Sequence, residues 1–234
     1  MAKRPIFIPS EDSSVLYEER EVEFEWYPGF ALAQKQKSIE SLHIEARKKG
    51  YEKVLEISTK SPLALGRSLS AFNLMLKIQG INAPVENFFQ SSKVFEMDGP
   101  FEDLLQCSPK EAKRDKRLVT SGKLIKFSFF GDDWGLLPMT AFYDWLYIKA
   151  LSQQEDLSND FLDYSAFTDI EFNPNKSINC QARSAAIFVT LVRQSLLNRV
   201  LESKDFFISL YDNAKHETPK AEKENQEQLS FKFD

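Results

Sequence analysis

Twenty phenylalanines in a chain of 234 residues, joined by seven tyrosines and three tryptophans, commit the sequence to a packed interior. Aromatic rings gain by leaving water and pack against one another at preferred offsets, so such a load argues against disorder across the whole chain. With 42% of residues hydrophobic there is enough apolar surface for a sizeable core. No window approaches the roughly 20 apolar residues of a membrane span. The apolar stretch Ile6-Phe7-Ile8 near the start is too short for a secretion signal. The expectation is a cytoplasmic protein with no membrane partner.

Charge and cysteine content narrow the function classes. Thirty basic and 35 acidic residues give a net charge of −5, which excludes a uniformly basic nucleic-acid binder but leaves room for a local basic groove. Cys107 and Cys180, with His43 and His216, have no metal-ligand spacing. They read as free thiols in a reducing compartment, a satisfied helix histidine and a tail histidine. No metal or other cofactor is expected.

Along the chain, residues 6–8 and 22–27 read as strands, the second alternating apolar and charged side chains. Ala31 to Lys49 has neither Gly nor Pro and ends at Gly50, so it reads as a helix with a glycine cap. Tyr51 to Ser58 suits a short helix or turn. Ser61-Pro62 resembles a helix start, with the helix running to about Ile78. Residues 80–100 read as irregular, 101–106 as a helix, 124–130 as a strand, 140–151 as an aromatic helix and 179–202 as a long buried helix. That makes five or six helices and three short strands, with no alternating order for a parallel sheet. The expected fold is mainly α with a few short strands, with α+β as the alternative. Composition turns polar near Asp212, which divides the chain into a globular domain at 1–211 and a flexible charged tail at 212–234.

One segment departs from the acidic average. Between Lys110 and Lys126 there are seven basic and two acidic residues, a local charge of 7 − 2 = +5. It reads either as a solvated helix face or as a phosphate-facing rim.

Phosphate loops, dinucleotide fingerprints, HExxH and GxSxG are all absent from the sequence. Two other runs carry chemical interest. In Gln34-Lys35-Gln36-Lys37, Gln34 and Lys37 stand one helical turn apart, and a Lys beside amide donors suits phosphate binding or attack on a sugar carbon. In Ser61-Pro62-Leu63-Ala64-Leu65-Gly66-Arg67, Gly66 permits close approach and Arg67 suits a phosphate clamp. From spacing alone the first run reads rather as an exposed polar helix face, and helix packing with a surface ion pair explains the second equally well.

In this order the two runs resemble the NADAR (YbiA-like) family, with correspondence at Gln34, Gln36, Lys37, Pro62, Ala64, Gly66 and Arg67. Lys93-Val94-Phe95, Leu104-Leu105 and Asp132-Asp133-Trp134-Gly135 are similar to later family elements. The segments Gly99-Pro100-Phe101-Glu102-Asp103, Phe142-Tyr143-Asp144-Trp145, Ala166-Phe167-Thr168-Asp169-Ile170-Glu171 and Ser177-Ile178-Asn179-Cys180-Gln181-Ala182-Arg183-Ser184 bring the chain closest to the NADAR proteins that accompany DarT-type toxins. One departure stands out: Phe30 occupies the place of a Glu in YbiA-like proteins.

The resemblance implies a YbiA-like helical domain that removes ADP-ribose from guanine bases in DNA or RNA by N-glycosidic cleavage, as the antitoxin to a DarT-type toxin. Lys37 is then the nucleophile or a positioning cation, and Asp103, Asp169 and Glu171 share the acid, base and charge-stabilising roles. Arg67 and Arg183 would hold the pyrophosphate, Trp134 would stack on a base, and Asn173 and Asn179 would bond ribose hydroxyls. Gln34 and Lys93 complete the expected substrate contacts. The rival is a non-catalytic antitoxin that binds ADP-ribose or the toxin, a reading that Phe30 keeps open. The last residues, Gln228-Leu229-Ser230-Phe231-Lys232-Phe233, resemble a peptide bound by bacterial sliding clamps, with docking back onto the domain as the alternative.

Overall fold

The computed structural model describes residues 1–12, 14–154 and 159–213. Strands β1 (Ala2–Pro9) and β2 (Tyr17–Phe24) form an antiparallel hairpin, paired from Ala2 with Phe24 to Pro9 with Tyr17. Alternation in β2 turns Val22 and Phe24 inward, where they meet Ile39, Leu42 and Ala46 of helix α1 (Leu32–Lys48) in a small core. The helix ends as its sequence predicts. Gly50 takes a left-handed φ of 96° and donates to Arg47 O, while Tyr51 N–H donates to Ala46 O, so two terminal carbonyls are satisfied.

Beyond α1 the chain departs from the helical expectation. Residues 51–58 contain strand β3 (Val54–Glu56) rather than a helix or turn. The helix expected from Pro62 to Ile78 is only α2 (Ala64–Ser68), followed by the hairpin β4 (Met75–Ile78) and β5 (Ile81–Pro84). Its turn, Gln79-Gly80, has positive φ at both positions, as a two-residue hairpin turn of this hand requires. The stretch expected to be irregular holds α3 (Val85–Ser91) and β6 (Lys93–Phe95).

A 3-10 turn at Glu102–Gln106 precedes α4 (Pro109–Lys113) and α5 (Arg117–Thr120). Strands β7 (Leu124–Phe129) and β8 (Asp132–Trp134) then join β6 in a three-stranded sheet. Helix α6 (Ala141–Ser152) follows, then the short α7 (Asn159–Leu162) and strand β9 (Ala166–Thr168). The long helix expected at 179–202 is broken by Ser195, at a left-handed φ of 57°, into α8 (Gln181–Arg193) and α9 (Leu197–Glu202). Helix α10 (Lys204–Asn213) closes the described region, so residues 214–234, including the clamp-like end, lie outside it.

The mainly α expectation is therefore wrong. The fold is mixed α/β, with 41% helix and 20% strand in three sheets among the described residues. The main sheet runs β2-β1-β9-β3, with β9 antiparallel to β1 and parallel to β3. Strands of three or four residues with distant partners leave too short a pattern for periodicity to register. No helix among the described residues is long and apolar enough to cross a membrane.

The larger core lies between α6, α8 and the β6-β7-β8 sheet, and takes most of the aromatic load. Phe127 stacks on Phe142 at 4.7 Å between centroids, and Phe129 meets Trp145 edge-on at 5.7 Å. Inside this core sits a charge. Asp144 is fully buried and accepts bonds from Arg183, Ser184, Thr140 and Tyr211, which ties α6 to α8 and α10.

Gly66 in α2 has a packing role. A Cβ there would lie 2.0 Å from Glu56 O and 2.3 Å from Ser61 Oγ. The first contact is with backbone, so relief requires the helix to move away from β3. Gly66→Ala is expected to lower stability by roughly 1–3 kcal/mol, read as a shift of the urea midpoint. An unchanged midpoint would show that α2 is free to shift.

Candidate active site

A cleft of about 690 Å³ opens where β9 leaves the main sheet. The chain turns at Asp169, whose Oδ1 accepts the N–H groups of Glu171 at 3.0 Å and Phe172 at 3.2 Å. Its Oδ2 accepts from Gln181 Nε2 at 3.0 Å. The other end of that amide, Gln181 Oε1, accepts the Ala71 N–H at 2.7 Å, so one side chain at the start of α8 spans two walls of the cleft.

Helix α3 and its neighbours supply more of the lining. Glu86 and Gln90 are buried on successive turns, with Gln90 Nε2 donating to Glu86 Oε1 at 2.9 Å. Lys113 of α4 stands 3.8 Å from Glu86, and Tyr143 of α6 meets Phe89 edge-on. Two acceptors in this lining, Gln90 Oε1 and Asn179 Oδ1, are buried with no hydrogen-bond partner among the described residues. Buried acceptors are costly when left unpaired, so they are suited to the hydroxyls or N–H groups of a ligand.

Behind Asp169 lies a second carboxyl. Glu56, fully buried in β3, accepts from Ser58 Oγ at 2.7 Å, Thr168 Oγ1 at 2.6 Å and the Ile170 N–H at 2.9 Å. It thus holds the residues on either side of Asp169. His43 Nε2 lies 2.9 Å from Thr168 Oγ1, and burial pushes its pKa down to about 4, leaving the ring neutral at pH 7. Burial raises the Glu56 pKa as well. Burial and then the neighbouring Glu56 charge push Asp169 up to about 8, against the lowering effect of its hydrogen bonds. A carboxyl raised in this way on the wall of a cleft is equipped to give a proton away.

The cleft gathers four of the residues singled out in the sequence: Asp169, Glu171, Asn173 and Asn179. The others stand elsewhere. Lys37 is exposed and lines a separate groove with Trp26 and Glu40, while its neighbour Lys35 reaches Glu171 at 2.8 Å and lies over the Trp26 ring. Gln34 packs in the first turn of α1 beside Gly29, and Phe30 is fully exposed just before that helix. Arg67 is exposed and folds back onto the carbonyls of Ser61 and Pro62, both at 2.8 Å. Lys93 is buried behind the wall, its ammonium 5.1 Å from the Phe89 ring centroid. Trp134 is buried against Phe142 and Trp145, and Arg183 is bound to Asp144. Asp103 pairs with Arg117 at 2.6 Å beside a second cavity of about 600 Å³.

The sequence reading missed Lys35, Glu86, Gln90, Tyr143 and Gln181. Two signals were present. Gln181 sits between Asn179 and Arg183 in a segment already notable for polar residues, and Lys35 is two residues from Lys37 in the run already chosen.

No curated protein matches the chain. A family model described as "DarT1-associated NADAR antitoxin" matches residues 2–221.

Proposed function

The chain belongs to the DarT1-associated NADAR antitoxin family, and from that premise we propose that it is a glycohydrolase that releases ADP-ribose from guanine bases in DNA or RNA. The observation that carries this reading is the placing of Asp169, a carboxyl that burial pushes toward its protonated form, on the wall of a cleft lined with amides and aromatic rings.

Breaking the bond between the ribose C1 and the base leaves positive charge on the sugar and negative charge on the departing guanine. Protonated Asp169 supplies a proton to the base as the bond opens. Glu171, paired with Lys35, provides the carboxylate that faces the cationic sugar, orients the water that adds to C1 and takes the proton that this water gives up. The water oxygen ends on C1 of free ADP-ribose, and the guanine remains in its strand. Gln90 Oε1 and Asn179 Oδ1 receive ribose hydroxyls, while Phe72 and Phe89 offer apolar faces to a base.

The test is incubation with an oligonucleotide bearing guanine-linked ADP-ribose, followed by chromatography and mass spectrometry. Many equivalents of free ADP-ribose per protein and recovery of unmodified oligonucleotide are expected. Protection at a one-to-one ratio with no release would overturn catalysis in favour of simple binding.

A further inference from the structure

We infer that the face formed by α4 and α5 carries the phosphate backbone of the modified strand, which leaves the cleft at Lys113 and passes over Lys110, Arg114 and Lys116. The inference rests on the proposed nucleic-acid substrate and adds to it the surface that holds the strand.

The two acidic residues of this face, Glu111 and Asp115, are both already engaged. Glu111 is engaged in the capping box of α4, accepting the Ser108 N–H at 2.9 Å and its hydroxyl at 2.6 Å. Asp115 is taken by Arg117, which also holds Asp103. Both local carboxylates are therefore used inside the segment, and Arg117 with them. The cations left over on α4, α5 and the turn between them are Lys110, Arg114 and Lys116, all exposed and without an ion pair among the described residues. Lys113 is exposed too and lines the cleft, 3.8 Å from Glu86 and with its ammonium 5.9 Å from the Phe72 ring centroid.

Helical spacing sets the direction. Lys110 lies three residues before Lys113 and four before Arg114, the residue that caps α4, so the three share one side of this short helix and its end. Like charges at these spacings weaken a helix. The carboxylates nearest this face are engaged, Glu111 by Ser108 and Glu86 by Gln90 and Lys113. In a chain of net charge −5 this is a local positive field that begins at the edge of the cleft. Polyanions are drawn to such fields, and a strand whose modified base occupies the cleft must lay its neighbouring phosphates on the rim. Continuity with the cleft favours a nucleic acid over an acidic protein surface.

The test uses the full chain with Lys110, Arg114 and Lys116 all changed to Glu, and a second variant with all three changed to Gln. An unmodified single-stranded oligonucleotide serves as the probe, because its binding does not depend on turnover. Affinity is measured by fluorescence anisotropy over a series of salt concentrations, beside affinity for free ADP-ribose and the thermal midpoint. The Gln variant is expected to lower the salt slope by about 2, at roughly 0.7 per phosphate contact on a single strand. The Glu variant is expected to lose at least tenfold in strand affinity. Both should keep the midpoint and the affinity for free ADP-ribose. Unchanged strand affinity and salt slope in folded variants would overturn the inference, including the case in which only binding of an acidic toxin protein is lost. Loss of strand binding in a protein that releases no ADP-ribose would uphold this surface while rejecting the glycohydrolase reading.

Discussion

Asp144→Ala is expected to lower stability by about 3–5 kcal/mol, a large share of the roughly 5–15 kcal/mol that holds a typical domain together. Asp144 has no exposure, and four side chains point donors at it. Arg183 Nη2 lies 3.2 Å and 3.1 Å from its two oxygens, Thr140 Oγ1 at 2.7 Å and the Tyr211 hydroxyl at 2.8 Å, with Ser184 Oγ closer still. Removing the carboxylate leaves a guanidinium that is only 8% exposed without the carboxylate it is bonded to. Its remaining bond, from Nη1 to the Ile178 carbonyl at 2.8 Å, does not neutralise it.

The control is the double change Asp144→Leu with Arg183→Met. Replacing a whole buried pair by apolar groups is often close to neutral, so the double variant should be more stable than Asp144→Ala alone. Urea midpoints for the three proteins decide the matter. An Asp144→Ala midpoint within about 1 kcal/mol of the parent, the ordinary cost of a point mutation, would show that the network contributes little.

Asp169→Asn carries the largest expected effect on activity. If Asp169 donates the proton, its loss should lower the rate of ADP-ribose release by about 10²- to 10⁴-fold. The pH dependence separates this from a structural role. In the parent, release should fall above about pH 8 as Asp169 ionises; the Asn variant should lack that alkaline fall. Stability gives an independent reading. The folded pKa is raised, so between about pH 4, the ordinary carboxyl value, and about pH 8 the unfolded chain has lost the proton while the folded protein keeps it. Stability therefore declines as pH rises through that window, with Glu56 acting in the same direction, and the Asn variant should show a shallower decline. Equal pH–stability slopes for parent and variant would mean that Asp169 is not held protonated.

The elements legible in the sequence are those whose signal is local. Helix α1 has an unbroken run and a glycine stop, and α6 has a dense apolar stretch, so both lie within a residue or two of their expected bounds. Strand β3 was illegible because it is three residues long, contains a charged Glu56, and pairs with β9 over a separation of 112 residues. The cleft shows the same division. Asp169, Glu171, Asn173 and Asn179 fall on one short segment and come together by proximity along the chain. Lys35 and Lys37 differ only in helix phase, which depends on packing against β2 and β3. Arg183 looks like a ligand clamp in sequence because nothing local reveals that Asp144 waits for it in the core. Glu86 and Gln90 look like surface residues until α3 is known to be buried.

The pairing of β3 with β9 bears on how the protein is made. Glu56 leaves the ribosome long before Thr168 and Ile170, the residues it must hold, and Gln181 follows later still. At roughly 5–20 residues per second, translation takes about 10–40 s to reach Gln181. Until then the nascent chain has neither its main sheet nor its cleft, so truncated chains ending earlier offer no site. For an antitoxin this is a fixed delay between the start of synthesis and the first protection, set by the order of the strands in the sheet rather than by any rate of chemistry.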